Sequence, residues 1–118
     1  MREYTFILPK TDNDGAPLIG LHCVLHKKLC DMFGGFTAVE CSGGWIDSLG
    51  NVIIDHSVRY TVATDNELAE QFRDLAIAFG VSAKQQAVYF VNGLGEVEII
   101  DTSKPVACVA EYNANFGE

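Results

Sequence analysis

Residues 52–79 read VIIDHSVRYTVATDNELAEQFRDLAIAF, and two periods meet inside this stretch. From Val52 to Thr64 the side chains alternate. Ile54, Val58, Tyr60 and Val62 share one face, while Asp55, Ser57, Arg59 and Thr61 share the other. A period of two marks a strand with one side on a core and one side polar. From Asn66 onward the period changes. Leu68, Phe72, Leu75, Ala76 and Phe79 recur at the spacing of a helix that buries one stripe. Thr64-Asp65-Asn66-Glu67 has the form of a capping box, and Gly80 stands where a left-handed C-cap belongs. This strand-to-helix unit implies a sheet with helices packed on it.

The same signals repeat upstream. Phe36 to Ile46 reads as a second long strand, joined to the first through the hairpin-type turn Asp47-Ser48-Leu49-Gly50-Asn51. Before it, Leu18, Leu21, Leu25, Leu29, Met32 and Phe33 form an apolar stripe. Pro17 suits a first helical position, and Gly34-Gly35 suits the end. The helices are therefore expected over about Leu18–Phe33 and Asn66–Phe79. Tyr4 to Leu8 is rich in aromatic and branched residues and stops at Pro9, and Thr11 to Gly15 is turn chemistry.

Downstream, Ala87 to Asn92 and Glu96 to Ile100 read as strands about the turn Gly93-Leu94-Gly95. Val106 to Val109 suits an edge strand, and Tyr112 to Glu118 a frayed tail. The order predicts an α+β fold in one domain, residues 1–118. It is the ferredoxin-like βαββαβ sandwich, with two helices on one face of an antiparallel sheet and an extra C-terminal hairpin or edge strand.

Composition narrows the function classes. The 118 residues are 48% hydrophobic, enough for a core without staples. No run approaches the roughly 20 apolar residues of a membrane span. The start, Met1-Arg2-Glu3-Tyr4, lacks the features of a signal peptide, so a cytoplasmic protein is expected. The four cysteines, Cys23, Cys30, Cys41 and Cys108, make no C-x-x-C pair. Reduced thiols are expected, with Cys23 or Cys30 buried. Sixteen acids against eight bases give a net charge of -8, which disfavours nucleic acid as a partner.

Several residues invite a chemical reading. His22, His26 and Cys30 fall at i, i+4 and i+8 and share a helix face as three weak metal candidates. No further carboxylate or cysteine completes that set, and neither metal nor cofactor is expected. Gly43-Gly44-Trp45 interrupts a strand. The glycines suggest a bulge, and Trp45 is either a stacking platform or a core residue. Arg59 projects to the polar sheet face between Ser57 and Thr61, with Glu40 on the neighbouring strand as its expected partner. It reads as one half of a surface ion pair or as an anion-holding group. His56 falls on the apolar face by parity, with no serine or cysteine placed as a nucleophile beside it.

Phe33-Gly34-Gly35-Phe36-Thr37, Gly44-Trp45, Gly50, Tyr60 and Gln86-Ala87-Val88 together resemble a group of small phage and bacterial proteins of unknown function. Members carry F-G-G-x-T after a first helix, a G-G-W strand, a turn glycine and a Q-x-A-V strand. The similarity spans roughly Leu25 to Ile100. The family's acid after the turn glycine has its nearest match in Asp55. The resemblance implies a phage or prophage accessory protein and brings no catalytic residues.

With no nucleophile motif, no complete metal set and no phosphate loop, the expected function is a non-enzymatic, phage-type binding protein. Its expected partner is itself, as a dimer or higher oligomer through the open sheet face, together with a small molecule or a host protein. Two alternatives stay open. One is a phage counter-defence protein that sequesters a nucleotide signal or mimics DNA. The other is a small enzyme of the dimeric α+β-barrel kind, with His56, Arg59 or Glu40 in a cleft.

Overall fold

A computed structural model of the chain describes residues 1–103. Cys108, the Val106–Val109 strand and the Tyr112–Glu118 tail lie outside the described residues. The elements run β1 (Arg2–Pro9), α1 (Ile19–Phe33), β2 (Thr37–Ile46), β3 (Val52–Thr64), a short 3-10 turn (Asn66–Leu68), α2 (Ala69–Ser82), β4 (Ala87–Val91) and β5 (Val97–Asp101). The five strands form one antiparallel sheet in the order β2-β3-β1-β4-β5. No helix among the described residues is long and apolar enough to cross a membrane.

Alternation decides which face is covered. Tyr4, Phe6 and Leu8 of β1, Tyr60 and Val62 of β3, Val88 and Phe90 of β4, and Ile100 of β5 are all buried in one cluster. Both helices cover that face: Leu25 and Leu29 come from α1, and Phe72, Leu75, Ala76 and Phe79 from α2. Phe72 is the hub. Its ring centroid lies 5.3 Å from Phe6, 5.5 Å from Phe33, 5.9 Å from Phe90 and 6.1 Å from Tyr4. Arg73 of α2 ties the β5 edge down through two hydrogen bonds to the Glu98 carboxylate, 2.7 and 3.3 Å long.

One turn design recurs at three places. Asp12, Asp47 and Asn92 each accept, on a side-chain oxygen, the N–H groups two and four residues ahead. In each, the glycine three residues on donates back to the first residue's carbonyl, and that glycine has φ between 78° and 84°. A short Asx side chain satisfies two backbone donors, and glycine alone enters the left-handed region at no steric cost.

The helix ends differ from the sequence expectation. Pro17 is not helical; it bridges to Thr11, and α1 begins at Ile19 after Leu18. The capping box does not form. Asp65 makes no side-chain cap bond and instead faces the N-terminal amine at 3.4 Å. Gly80 is not a C-cap but a buried residue inside α2, where a Cβ would overlap Val88. The helix ends at Ser82, and the left-handed residue beyond it is Lys84, whose φ is 58°. Its N–H donates to Val81 O, and Gln85 N–H donates to Gly80 O, a Schellman pair. Gly80 thus serves the close approach of α2 to β4. Gly34 does cap α1, with φ 82° and its N–H donating to Cys30 O.

Candidate functional site

The register of the β2–β3 hairpin sorts the candidate residues. Thr37 pairs with Thr61, Val39 with Arg59, Glu40 with Val58, Cys41 with Ser57 and Ser42 with His56. Residues directly opposite share a face. Glu40 therefore points to the helix side and Arg59 to the open side, so Glu40 is not the partner of Arg59. The offset is one residue, enough to reverse the face. The ladder also runs unbroken through Gly43 and Gly44, which corrects the expected bulge.

The open face is less polar than expected. Arg59, Thr61 and Ser57 lie there, but so do Val39, Ile53, Trp45, Tyr89, Val97 and Ile99. Trp45 is no core residue: it is 53% exposed, and its Nε1–H donates to Asp55 Oδ2 at 2.8 Å. Thr61 meets Thr5 hydroxyl to hydroxyl at 2.9 Å. A broad concavity of about 800 Å³ is lined by Trp45, Asp55, His56, Ser57 and Tyr89, among others. Arg59 and Thr61 do not line it. His56, on the helix side, lies exposed and meets Ser42 Oγ at 3.1 Å.

The groups that converge lie on the helix-covered side, at the open end between α1 and the hairpin. A cleft of about 370 Å³ is lined there by Lys10, His22, His26, Glu40 and Tyr60, with Cys23 and the apolar Ile19, Ala38 and Val58. This volume is in the range of small-molecule sites. The helix spacing of His22 and His26 puts both rings over β3, where they converge on one hydroxyl. Tyr60 Oη lies 2.5 Å from His22 Nδ1 and 2.9 Å from His26 Nε2.

Donor and acceptor roles follow from the far end of the chain of bonds. His22 Nε2 lies 2.8 Å from Pro9 O, and a carbonyl only accepts, so this nitrogen carries hydrogen. In the neutral ring Nδ1 then accepts, and the Tyr60 hydroxyl donates to it. The Tyr60 oxygen in turn accepts from His26 Nε2–H. The neutral His26 is thereby left with Nδ1 as an acceptor. Burial, and secondarily the neighbouring His22, lowers the His26 pKa from 6.5, which favours this neutral state. Burial likewise pushes the Tyr60 hydroxyl upward, keeping it a donor.

The metal triad does not assemble. The imidazoles turn to Tyr60 and Pro9, while Cys30 lies exposed one turn farther on. Among the described residues no three His, Cys, Asp or Glu side chains are grouped to hold a metal. Cys23 and Cys30 are both exposed, contrary to expectation, because the buried stripe of α1 narrows to Leu25 and Leu29. At the cleft mouth Lys10 Nζ donates to Glu40 Oε1 at 2.5 Å, a bond that holds Glu40 below the usual carboxylate range. Lys10 and Tyr60 were not singled out as site residues from sequence. The available signal was parity: Tyr60 is the hydroxyl-bearing residue on the face that His22 and His26 cover.

No family model matches this sequence, and no curated protein matches it. The fold does have solved counterparts. A phage SAM lyase in its apo state superposes with a TM-score of 0.63 at 12% identity, over 88% of this chain and 91% of that one. A phage SAM lyase in complex with S-methyl-5′-thioadenosine superposes at 0.62, again with 12% identity, over 84% and 88%. The fold is thus shared with an enzyme, and this overturns the expectation of a non-enzymatic binder. That expectation rested on the lack of a local motif, which says little where the reacting groups come from separate elements.

Proposed function

We propose that this protein is a lyase of phage type that cleaves a nucleoside sulfonium, with S-adenosylmethionine as substrate and the α1–hairpin cleft as active site. The observation that carries the reading is a cleft of about 370 Å³ with convergent His22, His26, Tyr60, Lys10 and Glu40 on a fold shared with SAM lyases. Release of S-methyl-5′-thioadenosine means breaking the bond between sulfur and the four-carbon amino-acid fragment. The bonding pair goes to sulfur, and the sulfonium becomes a neutral thioether. A lyase adds no water, so the fragment completes its valence from within. Its own carboxylate closes a ring, or a neighbouring proton leaves. Positive charge is lost on the way to the transition state, so apolar walls such as Ile19, Ala38 and Val58 favour the step more than water does. His26 Nδ1 and the Tyr60 hydroxyl are fixed polar groups for the ligand to meet.

The first four strands, ordered β2-β3-β1-β4, support a ferredoxin-like reading with β5 added at the edge. A phage or prophage origin agrees with the F-G-G-x-T resemblance, and action in the host cytoplasm follows from it. Self-association through the open sheet face, with Val39, Tyr89 and Ile99 at the contact, is part of the same proposal. Light scattering checks it, and a mass of one chain at high concentration would refute it. The activity test is direct. Purified protein is incubated with S-adenosylmethionine and the products are separated by liquid chromatography and mass spectrometry. S-methyl-5′-thioadenosine is expected at a rate above the spontaneous one. No excess over buffer, with intact helical circular dichroism, overturns the reading.

A further inference from the structure

The cleft lining carries one fixed charge of each sign. Its lining includes one ammonium, Lys10, and one carboxylate, Glu40, and they are bonded to each other at 2.5 Å. The other titratable side chains there are His22, His26, Cys23 and Tyr60. Burial, and secondarily the neighbouring His22, pushes the His26 ring toward its neutral form. A site with a single base is poorly equipped for phosphates, and one with a single acid for polycations. What such a pair does match is a group carrying both charges a short distance apart.

We infer that Lys10 and Glu40 form a docking site for the zwitterionic end of an α-amino acid, Lys10 taking the α-carboxylate and Glu40 the α-ammonium. The inference rests on the cleft being the active site and names the part of the substrate read there. A zwitterion that enters opens one ion pair and makes two, so the charges of Lys10, Glu40 and the amino-acid end are all matched. The frame is rigid on the lysine side. Lys10 N–H donates to His56 O at 3.0 Å, and Lys10 O accepts from Leu18 N–H at 2.9 Å. The β1–α1 connection is thereby pinned to β3 on one side and to the start of α1 on the other. Glu40 stands in mid-strand, held in register opposite Val58. Both side chains keep contact with solvent, at 43% and 77% exposure, so a ligand reaches them without unfolding anything. The nucleoside end then lies toward His22, His26 and Tyr60.

The test uses two nucleoside probes, of which only one carries the amino-acid end and, with it, the sulfonium charge. S-adenosylmethionine carries the amino-acid group, and S-methyl-5′-thioadenosine lacks it. Lys10→Met and Glu40→Gln are each measured by calorimetry against both. Loss of one charged hydrogen bond should weaken S-adenosylmethionine about tenfold to a hundredfold. Affinity for S-methyl-5′-thioadenosine should stay within about twofold. The double exchange Lys10→Glu with Glu40→Lys restores an ion pair in reversed polarity. It should fail to recover S-adenosylmethionine binding, whereas recovery would show that the pair only braces the fold and overturns the inference. Equal losses for both probes overturn it as well. If the wild type binds neither nucleoside, the active-site reading falls separately, and S-methyl-L-methionine tests the docking site alone by ligand-observed NMR. Binding that needs both Lys10 and Glu40 sustains the inference, and no binding ends it.

Discussion

Tyr60 and Arg59 are adjacent in β3 yet belong to different environments. Tyr60 is 1% exposed, packs against Phe6 and holds two histidines of α1. Arg59 is exposed opposite Val39 and Ile7, and among the described residues no hydrogen bond or ion pair engages its side chain. At this end of the strand one face is thus covered by helices, while the other is an apolar and polar mixture facing solvent. The difference teaches where each kind of function belongs. Groups whose orientation must be fixed lie where helices cover the sheet, and a surface available for association lies where they do not.

The largest contrast should appear in stability. Phe72→Ala removes the hub of the covered face and should cost about 3–5 kcal/mol. Trp45→Ala, on the open face, should cost less than about 1.5 kcal/mol in the same urea titration. Comparable losses would show that the open face is also part of the core.

Gly80→Ala is a smaller intrusion on the covered side. The added methyl meets Val88, and the overpacking should cost about 2 kcal/mol. A neutral or stabilising result would mean that α2 and β4 have room to separate.

Tyr60→Phe keeps the ring and deletes the hydroxyl, stranding His26 Nε2–H and His22 Nδ1. A loss of about 1 kcal/mol or somewhat more is expected. The same cluster sets a pH dependence. The His26 pKa is lowered by folding, so the unfolded chain takes up that proton first. Stability should be complete above the unfolded value of 6.5 and decline as pH falls from there toward the folded value. Thermal melts of the wild type and His26→Gln between pH 5 and 8 check this. The variant should show a shallower decline, and identical slopes would remove His26 as the source.

Arg59→Ala should move stability least, within about 0.5 kcal/mol. Any effect should appear in light scattering as weaker association. An unchanged assembly would confine the contact to the apolar residues.

Much of this was legible in the chain. The period-two run Val52–Thr64 and the two helical stripes specified the elements and the covered face, because burial acts on each residue by its own parity. The three Asx-x-x-Gly turns were legible as turns, though not as one repeated design. The partner of Glu40 was readable too, since a turn closed by Asp47 and Asn51 sets Glu40 opposite Val58. Gly80 misled because a glycine at a helix end and a glycine under a crossing strand look alike in sequence.

By itself, then, the sequence determined the strands, the helices, the turns and the side of the sheet that is buried. These depend on periodicity and local backbone preference, which neighbours along the chain decide. The tertiary structure alone decided that His22, His26 and Tyr60 share one hydroxyl and that Lys10 meets Glu40 at the mouth of a cleft. Those groups lie 30 or more residues apart in pairs such as Lys10 with Glu40 and His26 with Tyr60. Their meeting depends on register and helix placement, which are properties of the packed whole.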